Sequence, residues 1–179
     1  MPTDLTHLLT PEDAARYEKH LAGYQKLWKP VGEHEEVLVQ ALAGVWWRLQ
    51  RLPGLEEALY AKGARELKDK VAELAPEARP AMVRLETYLL YEKQFRNLAL
   101  QERRLAKHAA ELKAELETTQ KTRDRQEAEH LAHAAKLYHL AKKEGRTYDP
   151  EADGFEFSLS DLEDYFRGQR AATVSSRAA

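Results

Sequence analysis

From Pro80 to Glu144 the chain runs without an internal proline or glycine. An unbroken helix over that stretch is roughly 95 Å long at 1.5 Å of rise per residue. Ordinary globular helices stop after three or four turns. Ala, Leu, Glu, Lys, Arg and Gln dominate the segment, and these are the strongest helix formers. Tyr88, Tyr91, Phe95, Leu98, Glu102, Leu105, Ala109, Leu112, Leu116 and Thr119 recur at alternating spacings of three and four, which is a heptad pattern. The register turns polar at Arg123, Gln126, His130 and His133, and apolar again at Leu137 and Leu140. A hairpin folded around Glu117–Arg125 is the alternative. No Gly, Pro, Asn or Ser lies there to favour a turn, so the sequence predicts one continuous helix.

Shorter helices precede it. Thr10-Pro11-Glu12-Asp13 is a helix start, with a capping hydroxyl, a proline in the first turn and an acid in the capping-box position. Ala14, Tyr17, Leu21, Tyr24 and Trp28 form a stripe that Pro30 and Gly32 end. A second helix is expected over 33–52, burying Leu38, Ala41, Leu42, Val45, Leu49 and Leu52. Trp46 and Trp47 are adjacent and cannot share one narrow stripe, so this helix is expected to be covered on two sides. Pro53-Gly54 predicts a turn, and a third helix follows over 55–74, weakened by Gly63. Trp28, Val45, Trp46, Leu49 and Leu59 are the expected core, packed on Tyr88, Tyr91 and Phe95 in the first third of the long helix.

Gly145 is a natural C-cap. Residues 146–154 read as loop. Phe155, Phe157, Leu159, Leu162, Tyr165 and Phe166 then make an apolar hook, with Ser160-Asp161-Leu162-Glu163 as the capping box of a short helix. Residues 170–179 are small and polar and are expected to be disordered. The expected fold is therefore all-α. An N-terminal three-helix region (10–79) packs on one very long, partly coiled-coil helix (80–145), and a C-terminal hook and tail follow (146–179).

Charge and composition exclude more chemistry than they suggest. Twenty-eight Lys and Arg against 30 Asp and Glu leave a net charge of -2, which gives no global attraction to nucleic acid or anionic lipid. There is no cysteine, hence no disulfide, thiolate nucleophile or Cys-ligated metal. The first ten residues lack the basic-then-apolar pattern of a signal peptide, and no run of apolar residues is long enough to span a bilayer. A cytoplasmic protein with no membrane partner is expected. His130 and His133 lie three apart near Glu127 and Glu129, but convergent third and fourth ligands are missing. Asp149, Glu151 and Asp153 alternate as in a calcium loop, and Gly154 fits its sixth position, yet Ser160 stands where the final bidentate Glu belongs. No phosphate loop, dinucleotide fingerprint or HExxH occurs. Neither an enzyme nor a cofactor or metal site is expected.

Two surfaces remain as candidates. Leu98, Leu105, Ala109, Leu112, Leu116, Leu137 and Leu140 form an apolar seam suited to self-association, so a homodimer or another protein partner is expected. Arg96, Arg103, Arg104 and Lys107, with Lys121, Arg123 and Arg125, form basic clusters that suit phosphates, although Glu102, Glu111, Glu115 and Glu117 are interleaved.

Pro30-Val31-Gly32, Glu35-Glu36, Leu38-Val39, Trp47-Arg48-Leu49 and Tyr91-Glu92 before Phe95-Arg96 together resemble a group of small helical bacterial proteins without an established function. The resemblance spans about half the chain. It implies helical architecture and, through a link to phage or mobile elements, an association with DNA. Members of that group carry a basic N-terminal extension rich in Lys, Arg, Asn and His, a pattern that the first ten residues here do not show. The residues themselves favour a non-enzymatic interaction or scaffold protein. A DNA-associated accessory protein is the alternative.

Overall fold

The computed structural model describes residues 10–167 and is built of helices, with no strand among the described residues. The helices are α1 (Pro11–Trp28), α2 (Gly32–Glu66), α3 (Arg79–Leu90), α4 (Glu92–Lys143) and a last helix, α5, over 159–167, preceded by a 3-10 turn at Glu151–Asp153. The chain forms two compact units, and the division falls inside α4, between Glu117 and Thr118. The expected disorder of 170–179 lies outside the described residues.

The start of α1 follows the sequence. Thr10 Oγ1 accepts from the Asp13 backbone N–H at 3.3 Å. The Asp13 carboxylate reaches across to Arg51 instead of closing a capping box. Lys29 adopts a left-handed conformation (φ 45°) after Trp28, and its N–H closes on Gln25 O. This ends α1 and lets it fold back on α2. Tyr17 then meets the Trp47 ring edge-on at 5.6 Å, and the His20 ring nitrogen Nε2 lies 3.0 Å from Ala43 O. Trp47 is thus covered by α1, while Leu38, Leu42 and Val45 face α4, the two-sided cover that adjacent tryptophans demand. Trp46 is 42 % exposed, against expectation.

The main departure is at Pro53-Gly54. The expected turn there is absent, and α2 runs through it for 35 residues. A proline inside a helix removes one N–H and crowds the carbonyl four residues back. Pro53 is exposed, so that carbonyl, on Leu49, is on the side where water can serve it. Both halves of α2 are also held by tertiary contacts. The N-terminal half packs Leu38, Val39, Leu42 and Val45 on Ala109, Leu112 and Leu116. The C-terminal half packs Tyr60 on Phe95 and Gly63 on Thr87. Low numbers on α2 meet high numbers on α3–α4, so the two run antiparallel. Restoring the missing N–H by Pro53→Ala raises the unfolding free energy by about 1–2 kcal/mol, allowing for the looser unfolded chain. A lower denaturant midpoint for this variant refutes that account of the helix.

α2 stops at Glu66, and 67–74, expected as helix, is a series of turns. Arg79 secures them, donating from Nε to Leu74 O and from Nη2 to Ala72 O at 2.9 and 2.8 Å. The predicted long helix is interrupted at Tyr91, which separates α3 from α4. Tyr91 itself leaves the helical conformation (φ -109°, ψ 23°), although its N–H still reaches Thr87 O at 2.9 Å and its carbonyl accepts from Phe95 N at 3.0 Å. The Tyr91 hydroxyl donates to the Glu66 carboxylate, and Lys62 Nζ lies 5.1 Å from the ring centre. That hydrogen bond, with burial adding to it, raises the phenol pKa above its ordinary value. No hairpin forms around Glu117–Arg125, which is helical throughout.

In the second unit, Ala134 and Ala135 on α4 are fully buried under Leu162, and Phe155, Phe157 and Phe166 pack around them. Two alanines leave room for rings to approach the helix closely. Gly145 (φ 67°) ends α4 as expected, with Arg146 N bonded to Ala141 O at 2.9 Å. The capping box of α5 sits two residues earlier than expected. Ser158 Oγ accepts from Asp161 N, and the Asp161 carboxylate accepts from Ser158 N at 2.8 Å. Ser158 and Ser160 both fit the motif. The observed choice places Leu162 in the core and frees Glu163 to accept from the Tyr138 hydroxyl at 2.8 Å.

Those bonds from Ser158 hold the Asp161 carboxyl below the ordinary carboxylate range. A depressed folded pKa stabilises α5 above the unfolded pKa, and the contribution is lost as pH falls through the folded value. The N-terminus of α5 therefore frays only as pH falls below the ordinary carboxylate range. Asp161→Asn abolishes this acid step in the Ser158 amide resonance. A step that persists in the variant belongs to another group.

Candidate interaction surface

The structure spends most of the predicted seam inside the chain. Ala109, Leu112 and Leu116 are buried against α2, and Leu98 and Leu105 are half-buried on the same side of α4. The α2 residues that cover this row, Leu38, Val39, Leu42 and Val45, lie in the part already expected as helix, but they pack on Ala109, Leu112 and Leu116 and not on the expected Tyr88, Tyr91 and Phe95, so self-association through these residues would first require α2 to leave. In the second unit Leu137 is half-buried and Leu140 is 51 % exposed. The polar stretch between the two covered zones, from Asp124 to His130, is exposed.

The basic residues are exposed, apart from Arg123, which is half-buried, and they fall into two sets. In the first unit Arg96 pairs with Glu92 at 3.9 Å and Lys107 with Glu111 at 3.7 Å, both along the helix. Arg103 and Arg104 make no ion pair among the described residues. In the second unit Arg125 pairs with Glu129 at 3.6 Å and Arg123 with Asp124 at 3.1 Å, while Lys121 is exposed. Exposed pairs of this kind hold their partners by at most about 1 kcal/mol, so these charges stay available to a stronger anion.

His133 meets Phe155 edge-on at 5.6 Å, His139 lies 5.5 Å from Phe166, and His130 is exposed. No three His, Asp or Glu side chains converge as a metal set among the described residues. Asp149 serves the backbone, its carboxylate accepting from Glu151 N at 3.1 Å. An open groove of about 430 Å³ beside the end of α4 is lined by Tyr138, His139, Lys142, Glu163 and Phe166. Lys142 there is engaged with Glu163 at 3.8 Å and lies over the Tyr138 ring.

A row on α3 was missed by the sequence reading. Met82, Leu85 and Leu89 are exposed, Leu85 by 52 % and Leu89 by 60 %. Their spacing of three and four was legible as a second apolar stripe, opposite the one through Tyr91 and Phe95. Tyr88, expected in the core, is itself 46 % exposed although it stacks on Phe95 at 5.5 Å. Several large apolar side chains on one helical face are more than the scattered singles of an ordinary surface.

No family model, curated protein or solved structure matches the chain. No helix among the described residues is long and apolar enough to cross a membrane.

Proposed function

We propose that this chain is a non-enzymatic helical interaction or scaffold protein, presenting a helix face to a second protein. The observation that carries the reading is the exposed Met82–Leu85–Leu89 row on α3. Burying a leucine is worth roughly 1.5–3 kcal/mol, so this row has a driving force for association that Ala109, Leu112 and Leu116 on α4 have already satisfied against α2. The partner is a second copy or another protein. Association with DNA draws support from Arg103 and Arg104, but an apolar row gains nothing on phosphates.

Light scattering across a concentration series tests the self-associating form. A mass that rises above 20.6 kDa toward its double supports it. A constant 20.6 kDa removes the homodimer and leaves a heterologous partner. A chain that stays at that mass and also crosslinks to no other protein through α3 is not an interaction protein of this kind.

A further inference from the structure

α1 and α2 run antiparallel, Asp13 meeting Arg51 and His20 meeting Ala43, and a trough lies between them. Two open depressions of about 500 and 540 Å³ make it up, and both are lined by Arg16 and Trp47. One reaches Leu55 and the other Leu27, which are 51 % and 73 % exposed. Trp47, half-buried, stands between them. Leu55 lies eight residues beyond Trp47 on α2, about 12 Å along the axis. The His20 ring packs on Trp47 at 5.6 Å, and Leu27 lies seven residues beyond His20 on α1, about 10 Å. Because the helices are antiparallel, those two steps lead away from Trp47 in opposite directions. The trough therefore carries three apolar stations in a line.

Its charge is one-sided. Arg16, Lys19 and Arg51 line it against Asp13 alone, in a chain whose net charge is -2. Arg51 pairs with Asp13 at 3.2 Å and lies over the Trp47 ring. Arg16 and Lys19 make no ion pair among the described residues. Two uncompensated cations thus sit by the middle station.

We infer that this trough is the docking site for an acidic amphipathic helix of another protein, on a surface independent of the α3 row. Stations about 10–12 Å apart match one face of a helix read at every seventh residue, a rise of about 10.5 Å. Carboxylates beside that stripe reach Arg16 and Lys19. Two copies docked trough on trough would bring those cations against their own kind. Nucleic acid would pair with the cations and leave Leu27 and Leu55 in water.

The test uses the full chain and a fluorescein-labelled synthetic helix of about 22 residues, with Leu at every seventh position, Glu on both sides of that stripe and Ala elsewhere. A twin with Lys in place of Glu is the control. Fluorescence anisotropy shows saturable binding of the acidic helix and none of the twin. Arg16→Glu with Lys19→Glu, and separately Leu27→Gln with Leu55→Gln, each weaken binding by about tenfold or more with unchanged circular dichroism. Raising the salt weakens the wild type likewise. Leu85→Asp with Leu89→Asp, on α3, leaves binding unchanged. The assignment is overturned if the acidic helix does not bind, if the twin binds equally, or if the α3 variant loses binding that both trough variants keep. Tighter binding to a DNA duplex than to the helix overturns it too.

Discussion

Gly63→Ala destabilises the protein by about 2 kcal/mol or more, although alanine is the better helix former by roughly 1 kcal/mol. Gly63 is buried where α2 crosses α3. A Cβ placed there comes within 2.7 Å of Thr87 Cβ and collides also with its Oγ1 and Cγ2. Thr87 is fully buried, so it cannot swing aside, and the helices themselves must separate. That separation also loosens the neighbouring Tyr60–Phe95 contact, 4.8 Å between centroids. Chemical denaturation measures the loss. Thr87→Ala removes Oγ1 and Cγ2 but keeps Cβ, so it rescues Gly63→Ala only in part, and the double-mutant cycle shows coupling of the two sites. Gly63→Ala as stable as wild type means that the crossing is looser than described.

Leu116→Ala is the second large loss, about 2–5 kcal/mol. Leu116 is fully buried between α4 and α2, with Leu112, Leu38 and Leu42 in the same cluster. Its removal leaves a cavity that two packed helices cannot collapse to fill. Leu140→Ala on the same helix, half exposed, changes stability by no more than about 0.5 kcal/mol. Both leucines belong to the predicted seam. Equal and small effects at the two positions would mean that α2 does not cover Leu116, and the seam would again be free for a second chain.

The candidate surface was legible only in part. The basic residues of α4 are visible in the sequence, and the structure leaves them exposed except Arg123, which is half-buried. The apolar row at 82, 85 and 89 was also visible, but its spacing competes with that of Tyr88, Tyr91 and Phe95 on the same helix. Periodicity reports both stripes alike. Which of them is buried depends on where Gly63 permits α2 to approach, and the Thr87 side chain is the point of contact.

Local chemistry settles the elements whose partners lie within a few residues. Thr10 caps α1, Gly145 ends α4, and the absence of Pro and Gly keeps α4 helical past Glu117. Each of these depends on backbone groups that neighbours satisfy or release, so sequence alone determines it. Pro53-Gly54, Tyr91 and the choice of Ser158 over Ser160 are different. A turn at Pro53 is the cheaper local conformation. The helix persists because its two halves bury Leu38, Leu42 and Val45 at one end and Gly63 at the other against α3 and α4. Burial over two helix lengths outweighs one missing hydrogen bond and its steric cost, which is about 3 kcal/mol. Ser158 caps α5 because that register brings Leu162 onto Ala134 and Ala135. Such choices rest on contacts between residues far apart in the chain, and tertiary structure decides them.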